Sequence, residues 1–135
     1  MEMIRKEAEE FNIIEKRPQE GDLHAEDAVR VIPKTDVIAI TGVTCLNDTI
    51  EGLLSLKKKD AIVVMVGPSV PLSPVLFDFG VDIIGGTQVT DDETAFIQAS
   101  QGGTPRFLNG IRYALLAKNP ELLQGLEPLP SCYSN

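Results

Sequence analysis

Three short stretches hold the side chains best suited to chemistry: "TGVTCLND" (41–48), "GPSVP" (67–71) and "GGTQVTD" (85–91). Each begins at or beside glycine, which lets a ligand approach the backbone closely. Thr41, Gly42, Thr44, Asn47, Thr49, Gly67, Ser69, Gly86 and Thr87 are the candidate contacts. Their chemistry is hydrogen bonding from hydroxyls, an amide side chain and free backbone N–H groups at helix starts, which suits a phosphate or carboxylate. The same residue types are also ordinary turn and cap residues, so a single such stretch would carry little. Three on one edge of a sheet would form a polar crevice for a small anion.

Other reactive groups are less organised. "GVTCLNDT" is neither G-x-x-x-x-G-K-[ST] nor G-x-G-x-x-G, which argues against an ordinary ATPase or NAD dehydrogenase. Glu15, at the end of an early strand, could accept a ribose hydroxyl but reads more simply as solvated. Cys45 precedes a helix, where a thiol can become nucleophilic or ligate a soft metal. The simpler reading is a packed, inert cysteine. His24 is the one histidine and reads as a helix-start residue. Asp48, Glu51, Asp91, Asp92 and Glu93 could suit a hard cation, but most lie in first helical turns, where the helix dipole accounts for them. No catalytic pair and no metal ligand set is assigned, and no cofactor is specified.

The elements that must position these residues follow from pattern. Residues 2–10 carry helical i,i+4 charge pairs, and "FNII" (11–14) reads as a strand. Asp22 caps a short helix through Val29, closed by Pro33. "VIAIT" (37–41) is a continuous apolar run that suits a strand buried on both faces. Asp48 and Glu51 stand in capping-box spacing before Ile50, Leu53 and Leu54, which share one helical face. "AIVVMV" (61–66) is the clearest strand. A short helix ends at Gly80. "VDII" (81–84) is a strand that Gly85-Gly86 stops. Thr90 and Glu93 form a capping box for a helix near 91–101, ended by Gly102-Gly103. Residues 107–118 are ambiguous between strand and helix, and Asn119-Pro120 starts a last turn. This alternation predicts a Rossmann-like α/β domain over residues 1–118: three layers, a parallel sheet with helices on both faces. Residues 119–135 are expected to be a short helix and loose tail.

Composition bounds the function. The 135 residues carry 12 Lys and Arg against 20 Asp and Glu, a formal net charge of −8, with no basic patch for nucleic acid. No apolar run is long enough to span a bilayer, and the charged N-terminus lacks a secretory pattern. The expectation is a cytoplasmic chain with neither nucleic acid nor membrane as partner. Cys45 and Cys132 match no metal or redox spacing and are expected to be reduced thiols.

Within "EKRPQEGDLHAEDAVRVIPKTDVIAITGVTCLNDTIEGLL" and "VVMVGPSVPLSPVLFDFGVDIIGGTQVTD", the most specific pieces are Thr41-Gly42 with Asn47 and Thr49, Gly67-Pro68-Ser69 with Pro71, and Gly85-Gly86 followed by Thr90-Asp91. In order and spacing these resemble the putative heavy-metal chelation family, a domain of unknown function, from about Phe11 to about Gly110. The resemblance implies a Rossmann-like fold. It also implies that longer members carry an additional N-terminal domain similar to the enolase N-terminal fold, with a site between the two domains. This chain would then act as a short stand-alone member, or a separate partner chain would supply the other wall. The preferred reading is a small-molecule or anion-binding domain, for nucleotide or phosphate, with partner-dependent enzymatic activity left open. The alternatives are a metal-chelating or metal-trafficking protein, which needs Cys45, His24 or acids to converge, and a non-catalytic assembly module. A homo-oligomer is compatible with each.

Overall fold

The computed structural model describes residues 8–104 and 108–124. A mixed α/β unit is built on a four-stranded sheet ordered β3-β4-β5-β6. These strands are β3 (Val37–Thr41), β4 (Ile62–Val66), β5 (Ile83–Val89) and β6 (Ile111–Ala117). β3, β4 and β5 run parallel, with Val37 opposite Ile62 and Val64 opposite Ile83. β6 returns antiparallel along β5, with Gly85 opposite Leu115. A separate parallel pair joins β1 (Ile14–Glu15) to β2 (Leu23–His24).

The helical segments are short: α1 (Ala28–Val31), α2 (Val43–Leu46), α3 (Ile50–Ser55) and α4 (Asp92–Ser100), with 3-10 turns at Ala25–Asp27, Ile32–Lys34, Pro74–Phe77 and Pro120–Leu123. Register sorts the sheet residues. Ile38, Ile40, Val63, Met65 and Ile84 point to one face and are buried together with Ala28, Ile32, Val70, Leu76 and Val81. Ile50, Leu53 and Leu54 of α3 pack against the same cluster, as their shared helical face requires. Val63, Met65, Val81 and Ile84 are fully buried, each worth about 1.5–3 kcal/mol of transfer free energy. Asp82 ties the starts of β4 and β5 to the end of β6. Its carboxylate accepts from Val63 N at 2.8 Å, its N–H donates to Val63 O, and its carbonyl accepts from Lys118 N.

Several expectations change in the folded chain. β3 alternates exposed and buried residues rather than being buried on both faces, because the core cluster of the described residues takes Ile38 and Ile40 and leaves out Val37, Ala39 and Thr41. The helical elements that contribute to the core cluster, α1 to α3 and the 3-10 turns at Ile32–Lys34 and Pro74–Phe77, pack on that side. The ambiguous 107–118 segment supplies β6, so the sheet is not wholly parallel. Gly85-Gly86 does not stop β5, which continues to Val89. Pairing with β6 runs from Ile83 to Val89 and outweighs the weak strand propensity of glycine. The expected helix from Asp22 becomes β2, a 3-10 turn and then α1, with Pro33 inside a second 3-10 turn. "FNII" contributes strand only at Ile14, continued by Glu15.

Caps also shift. Asp91, not Thr90, caps α4: its carboxylate accepts from Thr94 N at 3.1 Å and from Thr94 Oγ1 at 2.6 Å. These bonds hold the Asp91 carboxyl below its ordinary value. Asp48 makes no capping box. It takes φ +55° between α2 and α3, a left-handed conformation that Asp tolerates better than most residues. Asn119 caps the last 3-10 turn by accepting from Glu121 N. Gly80 and Gly102 take positive φ after their helical segments, as their positions imply. Ala8–Glu10 are not helical. The remainder of the helix expected over 2–10, and the tail from 125, lie outside the described residues.

Candidate functional site

The three glycine-led stretches follow β3, follow β4, and form the middle of β5, so the parallel register brings them to one rim. Gly67 N donates to Gly85 O at 3.1 Å, and Thr87 Oγ1 donates to Pro68 O at 3.1 Å. Thr41 Oγ1 lies 3.8 Å from the position a Cβ would occupy on Gly67. Thr41, Gly67, Ser69, Gly86 and Thr87 therefore share one neighbourhood, as the sequence pattern implied.

The glycines serve a different purpose from the expected one. A Cβ on Gly42 would stand 2.7 Å from Val70 N and 2.8 Å from Ser69 C. A Cβ on Gly86 would stand 2.8 Å from Val70 O and 3.1 Å from Leu72 Cδ2. Both glycines are buried because the 67–72 loop crosses directly over them. The space that glycine opens is filled by the protein's own backbone. Val70, inside that loop, joins the core.

Thr44 is likewise turned inward: it is buried, and its hydroxyl donates to Thr41 O at 2.8 Å. This bond closes the turn from β3 into α2. What remains at the surface is a smaller polar set. Thr41, Asn47 and Ser69 are exposed, and Thr49 and Thr87 are half-buried.

Asn47 organises one side of this set. With its amide oriented to match its neighbours, the nitrogen donates to Thr44 O at 3.2 Å and to Thr49 Oγ1 at 2.6 Å, and the oxygen accepts from Lys16 Nζ at 3.2 Å. Lys16 thus reaches from the end of β1 to the loop after β3. It places a cation beside Asn47, and sequence reasoning passed over it in favour of its neighbour Glu15. The available signal was its position one residue beyond a strand.

The topology also qualifies the strand-end rule. Crevices in open α/β sheets arise where neighbouring connections leave on opposite faces. Here β3, β4 and β5 follow one another in sequence order, and their connections pack on the same face. The rim is therefore an open shelf rather than a cleft.

Other candidates stand apart. Cys45 is half-buried in α2 against the core, consistent with a packed thiol. His24 is exposed and directly precedes a 3-10 turn, its N–H donating to Asp27 Oδ2 at 3.2 Å. Among the described residues, no group of three or more His, Cys, Asp or Glu side chains is placed to hold a metal ion. No helix among the described residues is long and apolar enough to cross a membrane.

Comparison with known proteins adds the family context. The model of the DUF364 family, described as putative heavy-metal chelation, matches residues 1–116. An uncharacterized protein of Methanocaldococcus jannaschii is 33% identical over 98 residues, covering 68% of this chain and 38% of its own length. A DUF364 crystal structure of unknown function from Desulfitobacterium hafniense superposes with a TM-score of 0.70 at 29% identity, over 79% of this chain and 44% of that one. Another, from Pyrococcus horikoshii, gives a TM-score of 0.73 at 21% identity, over 83% and 47%; at that identity the likeness is one of fold. The chain spans less than half the length of each of these relatives.

Proposed function

From the premise that this chain belongs to the DUF364 family, we propose that it binds a small anion at the rim formed by Thr41, Asn47, Thr49, Ser69 and Thr87 with Lys16. Two observations support this reading: Thr41, Ser69 and Thr87 lie close together at the ends of β3, β4 and β5, and Lys16 reaches Asn47 in the loop after β3. An ammonium beside hydroxyl and amide donors favours phosphate or carboxylate over a neutral ligand. Gly42, Gly86 and Thr44 act as the frame: they hold the 67–72 loop and the β3–α2 turn in place. Because the shelf is open, a ligand held by these groups alone is bound weakly, and a second chain would complete the other wall. The Rossmann-like arrangement belongs to the same proposal: β3-β4-β5 and their connections resemble one half of such a fold.

Titration calorimetry of the full chain with inorganic phosphate, acetate and a nucleoside monophosphate tests the proposal. Binding in the millimolar range, lost in Lys16→Ala and weakened several-fold in Thr41→Val without loss of thermal stability, supports it. Absence of heat at saturating phosphate in the wild type overturns it.

The family description favours metal chelation as the second reading. The described donors do not fit a heavy-metal site by themselves, since no group of three converges. A chelating site would need Cys132, which lies outside the described residues, or donors from another chain. Native mass spectrometry after zinc or cadmium addition distinguishes the two readings: stoichiometric metal retained by the wild type and lost in Cys132→Ser favours chelation. An assembly module without a ligand is the third reading, for which both titrations are silent.

A further inference from the structure

Gly110 directly precedes β6, and the residue before it is an asparagine. Gly110 takes φ +76°, and a Cβ there would stand 2.5 Å from Asp91 O. The turn therefore requires glycine. Asn109 is under no such constraint: it is exposed, and nothing bonds its carboxamide among the described residues. The main chain on either side is anchored. Asn109 N donates to Gln98 Oε1 at 2.7 Å, and Gly110 O accepts from Thr90 N at 2.8 Å and from Asp91 N at 3.1 Å. Between these anchors the Gly110 N–H donates no hydrogen bond among the described residues.

We propose that Asn109-Gly110 is a site of spontaneous covalent modification, at which the asparagine converts through a cyclic imide to aspartate and isoaspartate. Hydroxide removes the Gly110 amide proton, and the nitrogen forms a bond to Asn109 Cγ. The Cγ–Nδ2 bond breaks, water supplies a proton, and ammonia leaves. Water then opens the imide: attack at Cγ gives aspartate, and attack at the main-chain carbonyl gives isoaspartate. Three features select this residue among the thermolabile asparagines. Glycine sets no side chain against the attacking nitrogen, that nitrogen's N–H is unengaged, and the carboxamide is accessible. Each other asparagine of the described residues lacks one of them. Asn12 is followed by Ile13, whose branched side chain crowds the nitrogen, and Asn119 by Pro120, which has no N–H. The Asn47 carboxamide is held by Thr44, Thr49 and Lys16. Both products add a negative charge next to Asp91, in a chain whose formal net charge is already −8. Isoaspartate also lengthens the main chain by one methylene between the Gln98 anchor and the Thr90 and Asp91 anchors, so the junction of α4 with the start of β6 loosens.

Peptide mapping by mass spectrometry of the full chain, kept folded at mildly alkaline pH for days to weeks, tests the proposal. The peptide holding Asn109 should gain about 1 Da and separate into two forms, one of which accepts a methyl group from an isoaspartate methyltransferase. It should convert at least tenfold faster than the peptides holding Asn12 and Asn47, and faster still as pH rises. Aged wild type should melt below fresh wild type, whereas Asn109→Ser, which removes the reacting carboxamide, should melt alike fresh and aged. Conversion of Asn109 no faster than that of Asn12 and Asn47 overturns the proposal. So does an Asn109 that stays intact in the folded chain while the same position converts in urea, since the fold would then protect it. Equal melting of fresh and aged wild type, with isoaspartate formed, overturns the loosening of the α4–β6 junction.

Discussion

At the scale of single residues, small side chains at the rim divide into those that face a ligand and those that make room for the chain. Gly42 and Gly86 belong to the second group, because the nearest atoms to an added methyl group are backbone atoms of Ser69 and Val70. Gly42→Ala and Gly86→Ala should each cost about 1–3 kcal/mol by overpacking, read as a lowered urea midpoint. An unchanged midpoint would mean that the 67–72 loop moves aside freely. Type and position of these residues were legible in the sequence, but their purpose was not: turn glycines and ligand-approach glycines look identical until the crossing loop is seen. Lys16 shows the converse. Its role rests on a contact with Asn47, 31 positions away in the chain, and no local pattern encodes such a contact.

At the scale of elements, the strands were the legible part. "VIAIT" and "AIVVMV" become β3 and β4 within a residue of their expected bounds, since runs of β-branched residues have few other solutions. Helix starts were less legible because two candidate caps stood side by side at Thr90 and Asp91, and the hydrogen bonds from Thr94 decide for Asp91. Those bonds favour the ionised carboxylate and lower its folded-state value beneath the ordinary 3.8. Its contribution to stability is therefore fully present above pH ~4, the unfolded range. It is lost as pH falls through the lowered folded value. Asp91→Asn, which can still cap through its side-chain oxygen, should remove part of this acid sensitivity while leaving α4 formed. The check is a pair of thermal melts, at neutral pH and near pH 3. If the wild type and Asp91→Asn lost equal stability between the two, the carboxylate would have no special place at the start of α4.

At the scale of the whole molecule, the core cluster of the described residues lies against one face of the four-stranded sheet. The alternation of strands and helices implied a parallel sheet, and β3-β4-β5 is one. It also implied a wholly parallel sheet, and the antiparallel return of β6 departs from that. Burial on both faces could not be separated from burial on one by reading "VIAIT", since an apolar residue on an uncovered face looks the same in sequence as one in a core. The relatives, each more than twice the matched length, set the context for that open face.

The central claim, that Lys16 and the strand-end loops form one anion site, is tested most directly by amide chemical-shift mapping of the full chain during phosphate titration. The predicted result is a saturable set of shifts confined to Lys16, Thr41–Thr49, Gly67–Ser69 and Thr87, absent in Lys16→Ala. Shifts that fail to saturate, or that cluster away from these residues, would contradict it.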